Sequence, residues 1–99
     1  MPYEKIKSKN VDLLLESILK LETLEDAYKF FDDIMTVNEI ASFAQRFQVA
    51  QMLTKGYTYQ HIEQDTGAST ATISRVKRSL NYGNDGLKRA LEGLDRSCE

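Results

Sequence analysis

Between Gly67 and Leu80 the chain gathers side chains that can hydrogen-bond or carry positive charge. Ser69, Thr70, Thr72, Ser74 and Ser79 are interleaved with Arg75, Lys77 and Arg78, and no acid falls between Asp65 and Asp85. Hydroxyls of this kind meet phosphate oxygens, and a guanidinium offers a two-pronged fork to guanine O6 and N7, so the chemistry is that of reading a nucleic acid. At about 100° per helical residue, Ile73, Val76 and Leu80 converge on one face, while Thr70, Ala71, Ser74, Arg75 and Arg78 cover the other. The polar face is then free to enter a groove, and the small Ala71 permits close approach. Thr70, Ala71, Ser74, Arg75 and Arg78 are therefore read as base-facing, and Gln60, Ser69, Thr72 and Lys77 as phosphate contacts.

These residues need two helices and a turn to hold them. Thr58 can cap a short helix ending near Thr66, Gly67 supplies the turn, and Ser69 caps a second helix reaching about Asn81, which together make a helix-turn-helix. A basic helix alone would read as a solvated surface; the helix and glycine turn before it favour a groove reader.

Upstream, Asn10 is expected to cap a first helix through about Leu21, in which Leu14, Leu15, Ile18, Leu19 and Leu21 form a broad apolar surface that should be buried. Thr23 followed by Asp26 opens a second helix with Leu24, Ala27, Tyr28, Phe31 and Ile34 at helical spacing. Thr36 and Glu39 form a T-x-x-E capping box for a third helix that runs to Lys55 and stops at Gly56. Its apolar residues nearly encircle it, with Ile40, Phe43, Phe47 and Ala50 on one side and Val49, Met52 and Leu53 elsewhere. One short polypeptide can hardly cover such a helix, which implies an interlocking second subunit, a homodimer. A loop over 81–86 precedes a last helix marked by Leu87, Ala90, Leu91 and Leu94. The expectation is all-α, about six helices in a single domain over 1–99. Residues 1–34 would serve dimerisation, 36–56 the central helix, 58–81 the helix-turn-helix and 87–97 the C-terminal helix.

Residues from about 36 to 94 resemble the trp repressor superfamily, and the runs A-S-T-A-T-I-S-R-V and L-N-Y-G are similar to its YerC/YecD branch. The matching positions are Thr36 and Glu39 opening the long helix, Arg46 inside it, Gly56 ending it, and Gly67 through Arg75. The resemblance implies an intertwined all-α dimer that represses transcription from a palindromic operator. It also implies a corepressor pocket for L-tryptophan, whose counterparts here are Thr36, Arg46, Arg75 and Ser79. Two arginines there suit a carboxylate. Where the repressors carry glycine after the second arginine, against the indole, this chain has Val76, whose branched side chain crowds the slot. The expectation is therefore no cofactor, with L-tryptophan or another small effector as the alternative. Arg46 has an equally good reading as a surface ion-pair residue.

Composition sets the remaining bounds. In 99 residues of which 41% are hydrophobic, with nine aromatics, there is enough apolar surface to order the chain. The net charge of −2 excludes broad polycation-like DNA affinity, so binding must rest on local charge. Residues 1–33 hold five Lys against eight acids, and residues 67–99 six Lys or Arg against four acids. The lone Cys98 offers no intramolecular disulfide and little toward a metal shell. No run approaches the roughly 20 apolar residues of a membrane span, and the first ten residues lack a signal-peptide apolar core, so a cytoplasmic protein without membrane contact is expected. His61 reads as a surface residue, with Glu63 and Asp65 on other sides of its helix. No nucleophile, base and oxyanion donor assemble, so the chain is not read as an enzyme. A helical protein-interaction module retaining the helix-turn-helix as scaffold is the alternative to a regulator that binds double-stranded DNA.

Overall fold

The computed structural model describes the backbone of residues 3–98 and the side chains of residues 3–94; the expectation about the Cys98 thiol lies outside the described residues. A short 3-10 turn, Tyr3–Ile6, precedes six α-helices: α1 Lys9–Leu19, α2 Leu24–Ile34, α3 Val37–Thr54, α4 Tyr59–Thr66, α5 Thr70–Tyr82 and α6 Gly86–Cys98. There is no strand among the described residues.

The helix starts are set by side chains that satisfy amides left open at a first turn. Thr23 accepts from the Asp26 N–H at 3.0 Å to open α2. At α3 the capping box is reciprocal: the Glu39 carboxylate accepts from the Thr36 N–H at 2.9 Å, and the Thr36 hydroxyl accepts from the Glu39 N–H at 3.1 Å. The first helix departs from expectation. Its cap is Ser8, whose hydroxyl accepts from the Val11 N–H at 3.1 Å, and Asn10 already lies inside the helix. Asn and Ser are comparable caps, and the aspartate in the first turn, Asp12, suits the Ser8 register as well. The loop expected over 81–86 is also shorter, because α5 continues through Tyr82 and α6 begins at Gly86.

The chain divides into two compact units, Pro2–Ala41 and Ser42–Glu99. In the second, Val49, Ala50 and Met52 of α3 join Ile62 of α4, Ala68 of the turn, Ile73, Val76 and Leu80 of α5, and Leu91 of α6 in one apolar core. Val49, Ile62 and Ile73 are fully buried, each worth roughly 1.5–3 kcal/mol of transfer free energy. Phe47, Leu53, Tyr59 and Leu87 pack around this core.

The Pro2–Ala41 unit is different in kind. Neither α1 nor α2 contributes a buried residue, and Leu13, Leu15, Leu19, Leu24 and Tyr28 are exposed, Leu19 at 82% and Leu24 at 76%. The burial expected for α1 is therefore not supplied by the described residues: two short helices offer each other only one stripe of contact, and α1 is apolar on more than one side.

Candidate nucleic-acid interface

The helix-turn-helix is built from local hydrogen bonds around one glycine. The Thr58 hydroxyl accepts from the His61 N–H at 3.1 Å and starts α4. Gly67 ends it with φ +74°, a left-handed conformation that an L side chain would strain, and its N–H returns to the Glu63 carbonyl at 2.9 Å. The Ser69 hydroxyl accepts from the Thr72 N–H at 3.2 Å and donates to Thr72 Oγ1 at 3.1 Å, which starts α5. Ala68, buried between these caps, pins the turn to the core.

Side chains fasten the turn further. The Thr66 hydroxyl donates to the Ile62 carbonyl at 2.7 Å and accepts from the Ala68 N–H at 3.1 Å. From α3, Gln45 Nε2 donates to the Thr66 carbonyl at 3.0 Å, tying the central helix to the end of α4. The Thr70 hydroxyl donates to the Glu63 carboxylate across the turn. No buried side-chain nitrogen or oxygen among the described residues lacks a partner.

On this frame Ile73, Val76 and Leu80 face the core, and Thr70, Ala71, Ser74, Arg75 and Arg78 are exposed. Gln60, Ser69 and Lys77 are exposed too, whereas Thr72 is half-buried. Lys77 Nζ lies 5.5 Å over the Tyr59 ring, a cation–π contact that holds the ammonium near α4. Thr72 Oγ1 accepts a hydrogen bond from Ser69 and keeps its own hydroxyl hydrogen to donate, as a phosphate contact requires.

Of the four effector candidates, Arg46, Arg75 and Ser79 line one cleft of about 500 Å³, together with Phe43, Phe47, Thr72, Val76 and Leu87. Thr36 belongs to the other unit, where its hydroxyl is engaged by the Glu39 N–H. Val76 has 5% of its surface exposed, so its side chain is part of the wall. A second cleft joins Arg75, Arg78 and Ser79 to the turn that follows α5. In that turn a Cβ on Gly83 would lie 2.2 Å from the Ser79 carbonyl oxygen, so glycine is required by close approach.

Glu63 and Gln45 carry no signal in the sequence, since each acts on a partner outside its own helix and no local periodicity marks such a residue. Asp65, expected on another side of the helix from His61, shares its face. His61 Nε2 and Asp65 Oδ2 lie 3.3 Å apart, because residues four apart share a helix face, and the Tyr57 ring stacks on His61 with centroids 4.8 Å apart. No group of three or more His, Cys, Asp or Glu that could hold a metal occurs among the described residues.

Comparison with known proteins agrees with this architecture. The family described as Trp repressor protein matches residues 9–95. An uncharacterized Bacillus subtilis protein, YerC, is 59% identical over 92 residues, covering 93% of this chain and 88% of its own length. The Trp operon repressor homolog of Chlamydia caviae is 34% identical over 83 residues, covering 83% of this chain and 82% of its own. Among solved structures, a TrpR like protein from Eubacterium eligens superposes with a TM-score of 0.88 at 55% identity, covering 93% of this chain and 95% of that one. A candidate Trp repressor from Staphylococcus aureus gives 0.89 at 55% identity, covering 96% and 95%. The chain belongs to the Trp repressor family.

Proposed function

We propose that the chain is a sequence-specific transcriptional regulator of the cytoplasm that binds a palindromic operator as a homodimer and needs no L-tryptophan to do so. The observation that carries this reading is the exposed, acid-free polar face of α5, held by two capped helix starts and a buried turn on the apolar core. Each subunit would place α5 in a major groove, with half-sites about 10 base pairs apart. Thr70, Ala71, Ser74, Arg75 and Arg78 would face bases, and Gln60, Ser69, Thr72 and Lys77 phosphates, Ser69 through its backbone N–H because its hydroxyl donates to Thr72. The role is binding and not catalysis, in keeping with a family named for a repressor.

The apolar surface of α1 and α2 supports dimerisation, as Leu13, Leu15, Leu19 and Leu24 stand exposed on it, and the chain would act as one functional domain in which residues 1–34 make the subunit contact. Val76 supports independence from tryptophan: a branched side chain, not a glycine, forms the wall between Arg75 and Ser79 in the cleft that they line with Arg46. No helix of the described residues is long and apolar enough to cross a membrane.

Selection of a random duplex pool against the purified protein, without ligand, tests the reading. Enrichment of a palindromic motif, unchanged on adding L-tryptophan, is the expected result. A folded protein that enriches nothing with or without tryptophan would leave a protein-interaction scaffold, recognised by binding that hardly changes between about 50 and 200 mM salt.

A further inference from the structure

The Glu63–Thr70 pair brings a half-buried acid of α4 to the first turn of α5. Glu63 belongs to α4, yet its carboxylate accepts a hydrogen bond from the hydroxyl of Thr70, the first residue of α5. Around it the segment from residue 66 to 84 has no acid, and Arg75, Lys77 and Arg78 follow on the same helix. A carboxylate aimed at the backbone would be repelled by phosphate. In the groove it must meet a hydrogen-bond donor, and the only donors on the major-groove edges are exocyclic amino groups.

The direction of the hydrogen bond narrows the choice. The Thr70 hydroxyl donates its hydrogen bond to Glu63, so its oxygen has only lone pairs left for DNA, and the carboxylate oxygens offer only lone pairs. The pair is thus an acceptor-only surface at the first turn of α5, where recognition helices meet base edges. Guanine presents two acceptors there, thymine an acceptor and a methyl group, and adenine an acceptor beside its amino group. Cytosine alone presents a donor without an acceptor. Resting on the DNA-binding reading above, we infer that Glu63 and Thr70 together determine specificity, selecting cytosine at one position of each half-site. Thr70 serves as a proton donor to Glu63 as well as a base contact, and loss of either residue removes the same preference.

Parallel selections with the native protein, Glu63→Gln and Thr70→Val on one random duplex pool test this, with circular dichroism establishing that each variant is folded. The native protein should enrich a motif with cytosine at one position per half-site. Both variants should keep the rest of the motif and lose that preference, the native discrimination against guanine or thymine there falling about tenfold. Glutamine adds an amide donor, so Glu63→Gln should in addition admit guanine. Variants that retain the cytosine preference, even with a lowered melting temperature, would reduce the pair to a fastening of the turn and overturn the inference. If one variant fails to fold, the other carries the same test. A native protein that enriches no motif overturns the DNA-binding reading itself, whereas a native motif without the cytosine overturns only this inference.

Discussion

Arg78 and Lys77 are neighbours in sequence whose expected contributions differ in kind. Arg78 is exposed on the side of α5 away from the core and has the fork geometry that a guanine edge accepts, so Arg78→Ala should weaken operator binding by about 1–3 kcal/mol and relax specificity at one position. Lys77, drawn over the Tyr59 ring, is placed for a phosphate. Lys77→Ala should weaken all duplexes about equally and lower the salt slope by roughly one, measured by titration across salt concentrations. Gly83 makes a sharper structural statement. With Ser79 carbonyl oxygen 2.2 Å from where a Cβ would stand, Gly83→Ala must open the end of α5, and a loss of about 1–3 kcal/mol should appear in denaturant melts.

At the scale of the element, the start of α3 carries the one pH dependence for which a cause is visible. The backbone N–H of Thr36 first, and then its side chain, hold the Glu39 carboxyl below the ordinary carboxylate range. A group whose pKa is lowered by folding stabilises the fold above its unfolded value and loses that contribution as pH falls through the folded one. Thermal melts from pH about 6 down to about 3 should show this loss, and Glu39→Gln, which keeps an acceptor but cannot titrate there, should show a smaller one. The cap of α5 is a second test at this scale: Ser69→Ala removes the acceptor for the Thr72 N–H and should cost about 1 kcal/mol.

The whole molecule is divided between a unit with an internal core and a unit without one. Ser42–Glu99 buries its own apolar residues, while α1 and α2 leave Leu13, Leu15, Leu19 and Leu24 exposed. If those residues form the subunit contact, Leu19→Glu should yield a monomer by sedimentation equilibrium. It should also bind the selected operator far more weakly, since two half-sites held together act at high effective concentration. The same variant should leave the buried core around Ile62 and Ile73 intact, which far-UV circular dichroism would register.

What the amino-acid order determined by itself was most of what closes within one turn of chain, the His61–Asp65 pair excepted. Thr23, Thr36 with Glu39, Thr58 and Ser69 are caps whose partners lie three residues away, Gly67 is a turn marked by its residue type, and Ile73, Val76 and Leu80 show their face by helical spacing alone. Even here Ser8 displaced Asn10, because two good caps two residues apart differ by less than the helix gains from either. The tertiary structure decided what depends on how helices cross: Gln45 reaching Thr66 over a separation of 21 residues, Glu63 accepting a hydrogen bond from Thr70, and Arg46 sharing a cleft wall with Arg75, Val76 and Ser79. Periodicity assigns a residue to a face but leaves open what stands opposite that face, and the opposing side chains settle whether a polar group becomes a fastening, a reader or part of a pocket.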